Sequence, residues 1–345
     1  MSTQRLVHGS SRDVIDAVRG WLDSMAAPEP LVVETSGSTG RPKRVQLSRA
    51  AMTASANATH ARLGGPGQWL LPLPASYVAG LQVVVRSLLA GHEPVVLDDH
   101  ASFADAAAAT TAAGHRYTSL VPTQLHRLIE DSASVEALAG LDAVLLGGGP
   151  IDPALRSTAE GHGIRVVATY GSSETAGGCV YDGVPLDGVE VAIDERQRIR
   201  IGGPTLFDGY LDEPELTAET LVDGWFITSD VGRLTEGRLE VLGRVDDVVI
   251  TGGVNVPAPA VARRLRAHPD VAGVEVVGVA DAEWGHRVVA CVVGALARDA
   301  ARDWVAEALP RSWAPRQVVT LEAIPLLGNG KVDRMQLARL AEEEG

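Results

Sequence analysis

The sequence predicts an α/β protein with a largely parallel sheet, an antiparallel region after it, and a separate small α+β block at the end. Three observations carry this expectation. Apolar runs of strand length alternate with helical patterns through the first half of the chain, and parallel strands need the crossover connections that such helices supply. From Val184 the runs shorten and are separated by Gly and Asp turns, the pattern of hairpins. The chain has 345 residues, more than one hydrophobic core usually organises, so at least two domains are expected.

Leu31 to Val33 opens as an apolar strand. Strand and helix then alternate through WLLPLP (69–74), QVVVRSLLAG (82–91), EPVVLDD (93–99) and the Ala-rich 103–113. The alternation continues through YTSLV (117–121), a helix near Thr123 to Asp131, AVLLGGG (143–149), a helix over Ile151 to Gly161, and RVVATYG (165–171). Loops at the carboxyl ends of such strands are where ligands bind. VEVAID, RIRIGG, WFITSD and GRLEVLG read as the short strands of the antiparallel region. After a tight junction at Gly243 to Asp247, Ala301, Trp304, Val305, Ala308 and Leu309 fall on one stripe of a helix over 300–309, which gives this end its own core. The expected domains are 1–243 and 244–345.

Composition narrows the function. Hydrophobic residues make up 46% and charged residues 21%, which excludes wholesale disorder. Thirty Lys and Arg against 44 Asp and Glu give a net charge of −14, which argues against nonspecific binding to nucleic acid or an anionic membrane. Any anionic ligand then needs a local device. Cys179 and Cys291 lack metal-ligand spacing and read as reduced, buried thiols. The uncharged stretch from Leu63 to Val85 carries Gly64, Gly65, Pro66, Gly67, Pro72, Pro74 and Gly80, so it is no membrane-spanning helix. Met1 to Gly9 has no apolar run of a secretory signal. A cytoplasmic enzyme or binding protein is expected.

Thr35-Ser36-Gly37-Ser38-Thr39-Gly40-Arg41-Pro42-Lys43 follows the first strand. Its glycines let backbone N–H groups curl around an anion, its hydroxyls add donors and Lys43 adds charge. The loop is no Walker A motif, because Lys43 is followed by Arg44. Composition alone equally describes a flexible surface turn. Four further segments occur in order with it: TYGSSE (169–174), WFITSD (225–230), GRVDD (243–247) and GNGKVDR (328–334).

Together these five segments resemble the motifs of the adenylate-forming superfamily, which includes acyl-CoA synthetases, luciferases and adenylation domains of peptide synthetases. The resemblance runs from about Leu31 to the end. It implies activation of a carboxylic acid with ATP, with Mg2+ as metal and coenzyme A as co-substrate, and a C-terminal domain that is mobile. Ser36, Gly37, Ser38, Thr39, Gly40 and Lys43 are then a phosphate loop begun by Thr35. Glu174 helps hold Mg2+, and Tyr170, Gly171 and Ser173 line the nucleotide site with Gly147, Gly148 and Gly149. Asp230 accepts hydrogen bonds from the ribose hydroxyls, which two carboxylate oxygens can do, and Arg244 adds a second ribose contact. Asp246 is the hinge, Gly252 and Gly253 let the backbone approach the pantetheine arm of CoA, and Lys331 reaches the bridging oxygen and the substrate carboxylate. Taken singly, Glu174 also reads as a solvated carboxylate, Asp246 as an ordinary turn residue and Lys331 as a surface lysine.

The pattern departs from the family where many relatives place His in Pro-x-x-His-x-x-Gly. Here the chain reads Pro74-Ala75-Ser76-Tyr77-Val78-Ala79-Gly80, with an aromatic ring and no titratable imidazole at Tyr77. The region N-terminal to the phosphate loop is short beside longer relatives. LVPTQL (120–125), LLGGGPI (145–151) and DAEWGHR (281–287) resemble the o-succinylbenzoyl-CoA synthetase branch of the superfamily. This implies an aromatic keto dicarboxylic acid as substrate, with Tyr77, Thr123 and Ser172 as pocket candidates. His126 and Arg165 are further candidates for its second carboxylate. Arg165 lies about 16 Å from Tyr170 at strand rise and ranks low. Ligation of another aromatic or short acid, loading of a carrier protein, and a catalytically silent nucleotide-binding module remain alternatives, and a homodimer is left open.

Overall fold

The computed structural model describes residues 5–26, 28–35, 42–111, 114–325 and 332–344. It divides into two compact units, one of residues 1–192, 200–227 and 234–239, the other of 193–199, 228–233 and 240–345.

The first unit holds the parallel sheet that the alternation predicts. Its seven strands run in the order Val184–Pro185, Gly177–Tyr181, Val166–Ser172, Ala143–Leu146, His115–Leu120, Gly67–Leu71 and Val95–Val96. The pairs from Val166–Ser172 through Val95–Val96 are parallel, and the other two are antiparallel. Helices cover both faces of a parallel sheet, so its central strands are apolar throughout, and all four residues of Ala143–Leu146 are buried. Leu120, Leu125, Leu138, Leu141, Ile164 and Val166 pack with them. A four-stranded sheet in the order Arg5–Leu6, Leu31–Thr35, Lys43–Leu47, Gly209–Tyr210 completes this unit.

Its helices start and stop where local chemistry directs. Ser48 caps the helix Arg49–Leu63 by accepting from Ala51 N, and Gly64 ends it in the left-handed region at φ 110°. The helix expected near 123–131 is Pro122–Leu128, and a second helix, Ser132–Ala139, follows it. Asp131 starts the second, because its carboxylate accepts from Ser134 N at 2.9 Å and so caps it. His115 and Arg116 open the strand His115–Leu120, with His115 Nδ1 3.1 Å from Asp142.

A buried basic pair lies between the helices Arg49–Leu63 and Val78–Leu89. Arg86 is 3% exposed, with its guanidinium 5.1 Å from the centre of the Trp69 ring. Burial and the nearby Arg86 charge push the His60 imidazole down to about 4. The unfolded chain would protonate His60 near pH 6.5 and the native state only near 4. Between those values the unfolded state binds more protons, so stability falls as pH drops. From pH 7 to 4.5 the wild type is expected to lose about 2 kcal/mol more than His60→Gln, measured as denaturant unfolding free energies. Equal losses would show that His60 titrates normally.

A five-stranded sheet has the order Glu190–Ile193, Arg198–Gly202, Trp225–Thr235, Leu221–Val222, with Arg238–Arg244 also on Trp225–Thr235. In the second unit, Val271–Asp281 and Gly285–Gly294 pair antiparallel and Gln317–Thr320 joins the latter in parallel. The predicted amphipathic helix is Arg298–Ala306, with Ala301 and Val305 buried and Trp304 and Leu309 packed beside them. Trp304 Nε1 donates to Arg264 O at 2.9 Å, and the Arg264 guanidinium lies 3.9 Å over its ring. Both cysteines are free and buried, and burial pushes the Cys179 thiol up to about 12 and the Cys291 thiol to about 11. Neither is a nucleophile at neutral pH. Among the described residues no helix is long and apolar enough to cross a membrane.

Candidate active site

In the first unit, antiparallel pairing sets Thr35 opposite Lys43 and Glu34 opposite Arg44. The phosphate-loop segment therefore joins two paired strands. Ser36, Gly37, Ser38, Thr39 and Gly40 lie outside the described residues, as does Lys331 in the second unit.

Lys43 is held from an unexpected direction. The segment Phe207 to Asp212 runs along Lys43–Leu47: Asp208 N donates to Gln46 O and Leu211 N to Arg44 O, and Arg44 pairs with Asp212 at 2.8 Å. Tyr210 stands opposite Val45. Lys43 and Val45 project on one face of their strand, so Tyr210 is diagonal to Lys43 and within reach of its long side chain. Lys43 Nζ lies 5.1 Å from the centre of the Tyr210 ring.

Glu174 arrives from the end of the parallel sheet. The strand Val166–Ser172 leads into a 3-10 turn, Ser173–Thr175, followed by Ala176 at φ 49°. A left-handed alanine is disfavoured, and the neighbourhood fixes it: Ser55 Oγ and Gln82 Nε2 both donate to Ala176 O, at 3.0 and 2.8 Å. Thr175 Oγ1 accepts from Ser172 N and donates to Gly177 O. The turn holds Glu174 9% exposed, with its carbonyl accepting from Phe207 N. Tyr210 Oη donates to Glu174 Oε1 at 2.7 Å. Burial, then the adjacent carboxylate, push the phenol far above its usual range, so Tyr210 remains a donor. Lys43 and Glu174 thus meet on one tyrosine that sequence motifs do not flag; the only signal is Gly209, whose Cβ would lie 2.9 Å from Thr217 at φ +147°.

The glycines divide into two kinds. A Cβ on Gly147 would lie 2.3 Å from Thr169 Oγ1 and one on Gly171 2.2 Å from Gly177 O, so the protein's own packing demands both. Gly148 adopts φ +78°, whereas a Cβ on Gly149 would meet nothing within 4 Å. Gly149 therefore leaves open space at the carboxyl end of Ala143–Leu146. Tyr170 pairs with Val180 in the sheet, and Ser173 is buried.

Of the pocket candidates, Tyr77 is exposed at the start of the helix Val78–Leu89 and Thr123 is exposed in the first turn of Pro122–Leu128. Ser172 Oγ is buried without a hydrogen bond among the described residues. His126 and Arg165 are exposed, and Arg165 donates to Asp142 O. Gln124 accepts from Val121 N and donates to Pro72 O, so LVPTQL ties together two loops at strand ends.

In the second unit, Asp230 N donates to Thr228 Oγ1 at 3.0 Å. Arg244 ends its strand exposed, and Asp246 sits exposed in the 3-10 turn Val245–Asp247. The neighbouring Asp247 pairs with Arg334. Gly252 and Gly253 turn at φ +55° and +79° between Val248–Thr251 and Val254–Pro257. A Cβ on Gly252 would strike Trp284 at 2.6 Å, while one on Gly253 would meet nothing within 4 Å. Trp284 O accepts from Gly252 N at 2.9 Å, and the Arg316 guanidinium lies 3.5 Å over the indole. Gly252 is thus required by packing, and Gly253 is the position with room for a ligand.

The model of the AMP-binding enzyme family matches residues 31–211, and that of the AMP-binding enzyme C-terminal domain matches residues 261–331. The chain belongs to the AMP-binding enzymes. It is 47% identical over 323 residues to a probable 2-succinylbenzoate–CoA ligase of Mycobacterium tuberculosis, covering 90% of this chain and 84% of that one. With the 2-succinylbenzoate–CoA ligase of Escherichia coli it shares 34% identity over 322 residues, 90% of this chain and 68% of that one. Among solved structures, the o-succinylbenzoate CoA synthetase of Bacillus subtilis in complex with the acyl-adenylate intermediate OSB-AMP superposes with a TM-score of 0.70 at 28% identity, over 89% of this chain and 68% of that one. The two motifs that meet in this structure lie within the larger matched region.

Proposed function

We propose that this AMP-binding enzyme is an ATP-dependent acid–CoA ligase whose acid is o-succinylbenzoate. The observation that carries the chemistry is the meeting of Lys43, at the end of the phosphate-loop hairpin, with Glu174 on the ring and hydroxyl of Tyr210. The named relatives support the choice of acid.

In the first half-reaction a carboxylate oxygen of the acid attacks the α-phosphorus of ATP. The new O–P bond replaces the bond to the bridging oxygen, and pyrophosphate leaves. Anions must be brought together, so preorganised positive charge and orientation are the main contributions a protein makes. Lys43 and the phosphate loop supply the first. Glu174 presents one pinned oxygen and one without a hydrogen bond among the described residues; Mg2+ sites use one or two carboxylates with phosphate oxygens and water, so this carboxylate fits. When bound, Mg2+ neutralises phosphate charge. Asp230 and Arg244 would hold the ribose, and Gly149 leaves room for the nucleotide. In the second half-reaction the CoA thiol attacks the acyl carbon, the thioester forms and AMP leaves; Gly253 would admit the pantetheine arm. Tyr77, Thr123 and the unbonded Ser172 hydroxyl would line the acid pocket. A panel of acids with ATP and CoA, with pyrophosphate and thioester measured separately, tests the reading. Pyrophosphate without thioester from free CoA would indicate carrier-protein loading instead.

The residues 244–345 would turn about Asp246 between the two half-reactions. Proline fixes φ near about −65° and removes the backbone donor, so Asp246→Pro is expected to support one half-reaction and fail the other. Normal overall turnover by this variant would move the hinge elsewhere.

A further inference from the structure

Tyr210 makes two contacts that no ordinary core tyrosine needs. Its ring faces the Lys43 ammonium at 5.1 Å, and its hydroxyl donates at 2.7 Å to one oxygen of a buried carboxylate. The residue is itself fixed from several sides. Its backbone N donates to Thr217 Oγ1 at 2.8 Å, Gly209 and Tyr210 pair with Gln46 and Val45, and Phe207 packs edge-on to the ring with centroids 4.9 Å apart. Tyr210 is 4% exposed. A carboxylate has a soft terminal torsion with a broad, two-fold preference, so an unpinned Glu174 would swing. With Oε1 held by the phenol, Oε2 keeps a single heading.

We propose that Tyr210 is a positioning residue of the adenylation step: its hydroxyl orients Glu174 toward the metal, and its ring holds Lys43 ready for the phosphates. This rests on the roles given above to Glu174 and Lys43. The two functions separate by substitution. Tyr210→Phe keeps the ring and loses the hydroxyl; Tyr210→Leu loses both.

Hydrogen bonds to charged groups are among the stronger ones. Tyr210→Phe is therefore expected to raise the Mg2+ concentration for half-maximal pyrophosphate release about tenfold, and to reduce the Mg2+-dependent part of the thermal shift that ATP produces. Thioester formation from supplied acyl-adenylate should stay within about twofold of wild type. Tyr210→Leu should in addition raise KM for ATP. If the tyrosine acts through the carboxylate, Tyr210→Phe placed in a Glu174→Gln background adds less than about twofold, because the pair shares one interaction. Unchanged Mg2+ dependence in Tyr210→Phe, or full additivity with Glu174→Gln, would overturn the assignment. Loss of both half-reactions in equal proportion would reduce Tyr210 to a structural residue and overturn it equally. Glu174→Gln alone checks the underlying reading: if it leaves the Mg2+ dependence unchanged, the metal role of Glu174 fails whatever Tyr210 does.

Discussion

o-Succinylbenzoate is expected to exceed 4-oxo-4-phenylbutyrate in kcat/KM by roughly 10⁴-fold. The analogue keeps the ketone and the reacting carboxylate and lacks only the carboxylate on the ring. A pocket built to hydrogen-bond a substrate group is left with unpaired buried atoms when the group is missing, and such sites discriminate by about 10⁴ or more. An apolar pocket separates acids differing by a methylene by only about 10- to 200-fold. Ser172 Oγ is already buried and unbonded among the described residues, so it is a group waiting for a partner. Arg165, by contrast, is exposed and engaged with Asp142 O, which ranks it below the Ser172 hydroxyl. A difference below tenfold, or a preference for benzoate or a fatty acid, would mean a different acid for the same adenylate chemistry.

The parallel sheet was legible because its physics is local. A strand covered on both faces must be apolar throughout, and AVLL at 143–146 announces this without reference to any other residue. The helix Ser132–Ala139 was legible in principle too, since Asp131 and Ser134 form a recognisable cap. The glycines show what motif reading leaves out. Gly147, Gly171 and Gly252 sit in segments that resemble ligand-binding motifs, and Thr169, Gly177 and Trp284 already forbid a side chain at each. Only a three-dimensional neighbour distinguishes a glycine that admits a ligand from one that admits another strand. Tyr210 is the opposite case. Its hydroxyl partner is 36 residues away and Lys43 reaches its ring by strand register, so apart from Gly209 nothing in FDGY marks it. DAEWGHR, part of the resemblance to the o-succinylbenzoyl-CoA synthetase branch, spans the turn between Val271–Asp281 and Gly285–Gly294, and its Trp284 O accepts from Gly252 N.

Lys331→Ala is expected to slow acyl-adenylate formation by about 10²- to 10³-fold, equivalent to about 2.7–4 kcal/mol of lost transition-state stabilisation. As charge develops on the oxygen bridging to the departing pyrophosphate, a lysine ammonium there stabilises the transition state more than the bound substrates, which is the condition for raising a rate. The thioester half-reaction has no such oxygen, because pyrophosphate has already left and the bond broken is the one between the acyl carbon and the oxygen of AMP. Supplying acyl-adenylate and CoA to Lys331→Ala should therefore yield thioester at a rate within about threefold of wild type. Pyrophosphate release and thioester formation measured separately decide the matter. Equal loss in both would mean that Lys331 supports the fold of its unit or the binding common to both steps, since a group serving one chemical step leaves the other untouched.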